Sequence, residues 1–196
     1  EVFDVAYKWL GRIPGGLAVA TVVASTVLAA MVGVIGAAVV TMALVALPSM
    51  LRRGYSPVLA VGTVMAGGTL GILIPPSVLA IVYGLVANQS VGELYLGSVF
   101  PGLVLSGLYI LFSVGYALLN PKAAPRLSPE ETPTWSERWR ALRSIWSPLV
   151  LIFLVLGTIF LGLAAPTEAP PIGALGAMVV PAIPRRLSWT ILRLAL

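Results

Sequence analysis

The sequence predicts an all-α polytopic membrane protein in which a re-entrant helical hairpin is followed by a discontinuous transmembrane helix. Three observations carry this. Of 196 residues, 59% are hydrophobic and 10% charged, and mean hydropathy is +1.01, whereas soluble domains carry roughly a quarter charged residues. A water-soluble fold could not cover that much apolar surface, so lipid must. The twelve Lys and Arg residues fall in clusters between apolar stretches. Finally, Gly and Pro interrupt the two longest stretches, residues 15–50 and 56–91.

Composition also excludes. The chain has no Cys and no His, which removes disulfides, thiolate metal sites and the usual general base. Its acids are Glu1, Asp4, Glu93, Glu130, Glu131, Glu137 and Glu168, too few and too scattered for a hydrolytic or metalloenzyme centre, so the chain is not expected to be an enzyme. The net charge of +5 raises nucleic acid or anionic lipid as partners. The placement of the bases assigns them to topology instead, and no basic face with interleaved aromatics supports nucleic-acid binding. The chain opens on Glu1, without Met or a signal-peptide pattern, and reads as an internal piece of a longer protein.

Cytoplasmic loops collect Lys and Arg. The basic clusters are Lys8/Arg12, Arg52/Arg53, residues 122–143 and residues 185–193, while the connections around Glu93 and Glu168 hold an acid and no base. Residues 1–14 read as an amphipathic arm whose Trp9 suits the aromatic belt. Residues 15–50 begin and end on the basic side, so they cross an even number of times or enter and turn back. As a helix they span about 54 Å at ~1.5 Å per residue, too long for one crossing and too short for two. A re-entrant hairpin fits, with its tip at Gly33-Val-Ile-Gly36. Residues 56–91 cross once but are interrupted at Pro75-Pro76, just after Gly67-Gly68 and Gly71. Two prolines cannot continue a helix, so the first half should end near Ile74. Such a break is tolerated only where backbone is buried in protein or lines a polar cavity.

Residues 99–119 return to the basic side. The loop at 120–145 should hold an amphipathic helix around 137–144, with Trp135 and Trp139 at helical spacing. Residues 146–165 cross outward, 171–183 return, and 184–196 form a second arm with Trp189. The expected location is a bacterial inner membrane, crossed several times.

Hairpin tips and broken helices are where secondary transporters place their sites. Half-helix carboxyl ends and unwound carbonyls hold a cation, and half-helix amino ends face an anion. A hard cation such as sodium takes oxygen ligands. The tip residues Gly33, Val34 and Gly36 would offer carbonyls, and Gly68, Thr69 and Gly71 carbonyls or a hydroxyl; Thr41 follows the tip. Gly36, Thr69, Pro75, Pro76 and Ser77 would shape the opening toward a small carboxylate substrate. The plainer alternatives are that these glycines only let helices pack closely and that the prolines only kink one. Ser90 with Glu93 reads as an N-terminal capping box, Glu168 as an interfacial acid, and Arg52-Arg53-Gly54-Tyr55 as a topology determinant.

These residues resemble a known family. Gly15-Gly-Leu-Ala18, Gly33-x-x-Gly36, Leu47-Pro-Ser-Met-Leu-Arg-Arg-Gly-Tyr55, Gly68-Thr-Leu-Gly-Ile-Leu-Ile-Pro-Pro-Ser77, Tyr83-Gly84, Phe100-Pro-Gly-Leu103 and Ala165-Pro-Thr-Glu168 with Gly173-Ala-Leu-Gly176 are similar to the large permease subunit of tripartite ATP-independent periplasmic (TRAP) transporters, over nearly the whole chain. The tip is most like the branch named for mannitol or chloroaromatic compounds. The resemblance implies an elevator-type, ion-transporter-like importer of small organic acids. It would be coupled to Na+, fed by a periplasmic substrate-binding protein, and paired with a small membrane subunit. This chain would hold most of the first of two inverted repeats, its hairpin tip at residues 32–37 and its broken helix at residues 68–77. Two departures stand out. Where many members carry a Ser-rich tip, this chain reads Val32, Val34 and Ile35, leaving backbone carbonyls to coordinate. Pro170-Pro171 stands where members usually have Ala. The reading from a different class is a structural membrane subunit, or a transporter of the same fold without these partners.

Overall fold

The structure, a computed structural model, describes residues 2–125 and 134–163. The readings placed on Glu1, Glu130, Glu131, Glu168, Pro170-Pro171, residues 171–183 and the arm with Trp189 lie outside the described residues. Every regular element among the described residues is an α-helix. The chain divides into two compact units after Ile145. The first contains α1 (Val2–Leu10), α2 (Gly16–Val32), α3 (Ile35–Arg52), α4 (Pro57–Leu73), α5 (Val78–Ala87), α6 (Val91–Leu119) and α7 (Trp135–Ser144). The second contains α8 (Trp146–Phe160).

The stretches Ile35–Arg52, Pro57–Ala87 and Val91–Leu119 are each long and apolar enough to cross a membrane. α2, with 17 residues, is apolar but shorter. α2 and α3 are joined by only Gly33 and Val34, forming a helical hairpin, and both arms pack along α4. The contact is lined by small or flexible side chains: Ala18, Ala24, Ala60, Met42 and Met50 are wholly or almost wholly buried. With lipid on the outside, close backbone approach and dispersion replace the hydrophobic drive between helices, which favours such residues. The foot of the hairpin is tied by Tyr55, whose hydroxyl accepts from the Leu17 amide at 3.2 Å. That amide is one of the unpaired donors at the start of α2. Burial pushes the Tyr55 phenol up, against the opposing pull of the Leu17 amide and Arg53, so it stays neutral in this role.

Three boundaries and the burial of one arm differ from expectation. The third long helix starts at Val91, not 99. Ser90 caps it, its Oγ accepting from the Glu93 amide at 3.4 Å; a carboxylate in the first turn belongs to the helix rather than to the loop before it. α8 ends at Phe160 rather than 165, where Gly162 turns left-handed at φ 70°. The amino-terminal arm is partly core, since Phe3, Val5 and Ala6 of α1 are buried. The hairpin turn occupies Gly33 and Val34 only, and Gly36 already belongs to α3. The break in the second stretch stands where expected, between Leu73 and Val78, with a cis peptide between Pro75 and Pro76.

Candidate functional site

The hairpin tip and the helix break meet. Gly33 closes α2 in the left-handed conformation, φ 64°, its amide donating to the Ala29 carbonyl at 3.1 Å. A side chain there is excluded twice. L-residues avoid this φ, and a Cβ would run into the carbonyl oxygen of Pro76. The Gly33 carbonyl in turn accepts from the Val78 amide at 3.3 Å. The residue that caps the end of one apolar helix and the first residue of another, each with a backbone group its own helix cannot satisfy, thus satisfy each other. Gly71 completes the contact, its missing Cβ being 3.4–3.5 Å from the Val34 and Ile35 backbone.

Four helix ends converge: the carboxyl ends of α2 and α4 and the amino ends of α3 and α5. Aligned peptide dipoles put partial negative charge at the first pair and partial positive charge at the second. The two amino ends are finished differently. α5 is capped by Ser77, whose Oγ accepts from the Ala80 amide at 3.4 Å, and Ser77 is only 1% exposed. α3 has no side-chain cap at Val34. Val34 and Gly36 are exposed, and a Cβ at Gly36 would meet nothing within 4 Å. The arrangement therefore offers an open amino end beside carbonyl-rich carboxyl ends, geometry able to receive an anion and a hard cation together.

Of the residues singled out in the sequence, Gly33, Val34, Gly71, Pro75, Pro76 and Ser77 come together at this junction. Gly36 borders it on the open side. Gly68 and Thr69 do not join it. Gly68 lies under the Val39 side chain. The Thr69 hydroxyl bonds the Ala66 carbonyl at 2.7 Å and the Tyr109 hydroxyl at 3.1 Å, so it faces α6. Thr41 donates to Ala37 of its own helix at 2.8 Å. Ser77 spends its hydroxyl as a cap and so contributes through its backbone. Among the described residues no group of three or more acidic or His side chains could hold a metal, which leaves backbone oxygens as the ligand class the junction supplies.

Sequence reasoning missed the wall behind the junction. One face of α6 presents Tyr95, Gly102, Ser106, Tyr109 and Ser113, spaced by seven, four, three and four positions, the period of a single helix face. Tyr95, 1% exposed, donates its hydroxyl to the Ser77 carbonyl at 3.2 Å. Gly102 receives Ile74 and Leu73 at the break, where a Cβ would stand 2.9 Å from Ile74 Cγ1. Ser106 bonds Thr26 of α2 at 2.7 Å, and Tyr109 bonds Thr69 of α4. The polar and small residues recurring at this period were the available signal.

A family model described as "Tripartite ATP-independent periplasmic transporter, DctM component" matches residues 1–196. Among curated proteins, the chain is 38% identical over 174 residues to the C4-dicarboxylate TRAP transporter large permease protein DctM of Vibrio cholerae, covering 89% of this chain and 37% of that protein. It is 31% identical over 169 residues to the ectoine TRAP transporter large permease protein TeaC of Halomonas elongata, covering 86% and 38%. It is 30% identical over 184 residues to the isethionate TRAP transporter permease protein DctMQ of Oleidesulfovibrio alaskensis, covering 92% and 28%. The chain thus spans about two fifths or less of the length of these relatives.

Proposed function

The chain belongs to the DctM component family of the tripartite ATP-independent periplasmic transporters, a family of membrane permeases rather than enzymes, and we propose on that premise that it forms the first hairpin and broken helix of a secondary active importer of small organic acids. The importer is coupled to Na+, receives substrate from a periplasmic binding protein and works beside a small membrane subunit in a bacterial inner membrane. One relative, DctMQ of Oleidesulfovibrio alaskensis, is named as a single permease joining the M and Q components, which supports a membrane partner of that kind. The names of the relatives cover C4-dicarboxylates, ectoine and isethionate, all small and charged. Assignment to the branch named for mannitol or chloroaromatic compounds rests on the Val34-Ile35 tip alone.

The observation that carries the reading is the bond from the Val78 amide to the Gly33 carbonyl. Tip and break are one unit, so carbonyls from Gly33, Val34 and Gly71 can bind a cation while the open amino end of α3 at Gly36 faces a carboxylate. Pro75, Pro76 and Ser77 hold the floor of that unit. Gly68 and Thr69 act one layer back, setting how α4 lies against α3 and α6.

The test is uptake of labelled succinate by the full-length permease with its membrane subunit in proteoliposomes, in the presence of the binding protein, with and without a Na+ gradient. Gly71→Leu combined with Pro75→Ala is expected to abolish gradient-driven uptake. Unchanged uptake in the pair, or uptake indifferent to Na+, contradicts the site or its coupling ion respectively.

A further inference from the structure

Two basic stretches about 130 positions apart meet on one surface. α1 carries Lys8 and leads to Arg12, and α7 carries Arg138, Arg140 and Arg143. The helices join through indoles. Trp9 stands edge-on to Trp135 and Trp139, with centroids 6.1 and 6.2 Å apart, and its Nε1–H donates to the Arg138 carbonyl at 3.4 Å. At 3.6 residues per turn α7 sorts into three stripes. Arg138 and Ala141 are buried against the fold, Trp135, Trp139 and Leu142 lie open beside them, and Arg140 and Arg143 flank the open stripe.

Three features make this surface a receptor rather than a solvated face. Trp135 and Trp139 remain 66% and 58% exposed despite touching Trp9, an arrangement suited to the bilayer–water boundary, where indoles concentrate. The acids on these helices are Asp4 and Glu137, and Glu137 is committed to capping: its Oε2 accepts from the Thr134 amide at 2.8 Å and hydroxyl at 3.0 Å. Arg138 is 9% exposed, its guanidinium lies 5.3 Å from the centroid of the Trp135 ring, and its Nε–H meets no acceptor among the described residues. A buried cation with an unmatched donor calls for an anion.

We propose that α1 and α7 together form a docking surface for the headgroups of anionic phospholipids, with the indoles at the acyl boundary and the arginines on the phosphates. The occupant is lipid because the surface asks for apolar contact and phosphate side by side. It also lies where α2, an apolar helix beginning six residues after α1, leaves for the membrane. Charge placement in the sequence assigns these bases to topology, and their convergence adds a binding role.

The test uses the full-length permease in nanodiscs, with a fluorophore on Leu142→Cys and native cysteines elsewhere replaced. Quenching by nitroxide-labelled phosphatidylglycerol is compared with quenching by nitroxide-labelled phosphatidylcholine at equal mole fraction. Phosphatidylglycerol should quench about threefold more strongly, consistent with a few basic residues at an anionic surface. Arg140→Gln with Arg143→Gln should bring the two lipids level without moving the melting temperature. Equal quenching in the parent protein, quenching by neither lipid because protein covers the face, a preference indifferent to the Gln pair, or a preference erased by millimolar inorganic phosphate would each overturn the proposal.

Discussion

The two interruptions of the apolar helices, at Gly33-Val34 and at residues 74–77, do the same topological job by different means. The first is a bare backbone turn: one left-handed glycine, no side-chain cap, and an exposed Val34. The second is braced from three sides, by the Ser77 cap, by the Tyr95 hydroxyl on the Ser77 carbonyl, and by Ile74 seated on Gly102. The break is held by side chains, whereas the tip is held by backbone alone, through the Gly33 carbonyl on the Val78 amide. Under the proposed function, the break would fix the geometry and the uncapped start of α3 would face the ligand. The three-residue spacing within Gly33-x-x-Gly36 hides a division of labour, since Gly33 is held by steric necessity and Gly36 by none that the fold imposes.

That division can be broken most sharply at the two glycines. Gly33→Ala should cost about 1–3 kcal/mol from the left-handed backbone alone, and more from the clash with the Pro76 carbonyl. It should lower the melting temperature of the full-length protein by several degrees and abolish uptake. Gly36→Ala, in a helix with open space around it, should be neutral or stabilising by up to about 1 kcal/mol. If it still slows uptake, the loss belongs to ligand access and not to folding. Equal destabilisation at both positions would erase the distinction.

A smaller effect is expected behind the break. Tyr95→Phe removes one of two donors from the buried Ser77 carbonyl, which keeps the Ile81 amide at 3.2 Å, and should cost about 1 kcal/mol. Thr69→Val, removing an exposed hydroxyl pair with Tyr109, should cost less than about 1 kcal/mol. Thermal unfolding of the two variants side by side orders them, and the reverse order would mean that the wall at Thr69 matters more than the brace at Ser77.

The smallest effect lies outside the membrane-spanning helices. Hydrogen bonds from the Thr134 amide and hydroxyl, with smaller help from Lys8 and Arg140, lower the Glu137 carboxyl below its ordinary value of 4.5. A lowered folded-state value means the capping box contributes in full above the ordinary value and is lost as pH falls through the lower one. Hydrogen exchange of residues 134–144 should therefore stay slow down to that ordinary value and quicken only in stronger acid. Glu137→Gln should flatten the dependence.

Much of this was legible in the sequence because it rests on covalent properties of the backbone. Pro75-Pro76 cannot continue a helix and Gly33 can turn left-handed whatever surrounds them, so tip and break could be placed before any contact was known. The helical spacing of Trp135 and Trp139 placed α7 within two residues at its start, and the Thr134–Glu137 capping box that fixes that start is a finding of the structure. Side-chain pairing was not legible. Tyr95 reads as one more ring in an apolar run, because its partner is a backbone carbonyl 18 positions away. Thr69 reads as a cation ligand until α6 turns out to supply Tyr109. The start of α6 was set too late because the span was drawn from the uncharged run at Val99, although the capping signature of Ser90 and Glu93 already placed a helix start at Val91. The end of α8 was set too late because glycine is ordinary in apolar helices, and only its φ of 70° at Gly162 marks a stop.

The central claim is that the tip faces a ligand path and moves with it. Single cysteines at Val34 and Gly36 in the full-length permease, labelled from either side of the membrane by an impermeant maleimide, test it directly. The account predicts labelling from the periplasmic side in one condition and from the cytoplasmic side in another, with Na+ and substrate shifting the balance and protecting Gly36→Cys most. Labelling confined to one side in every condition would contradict it and leave the hairpin and broken helix as a static scaffold.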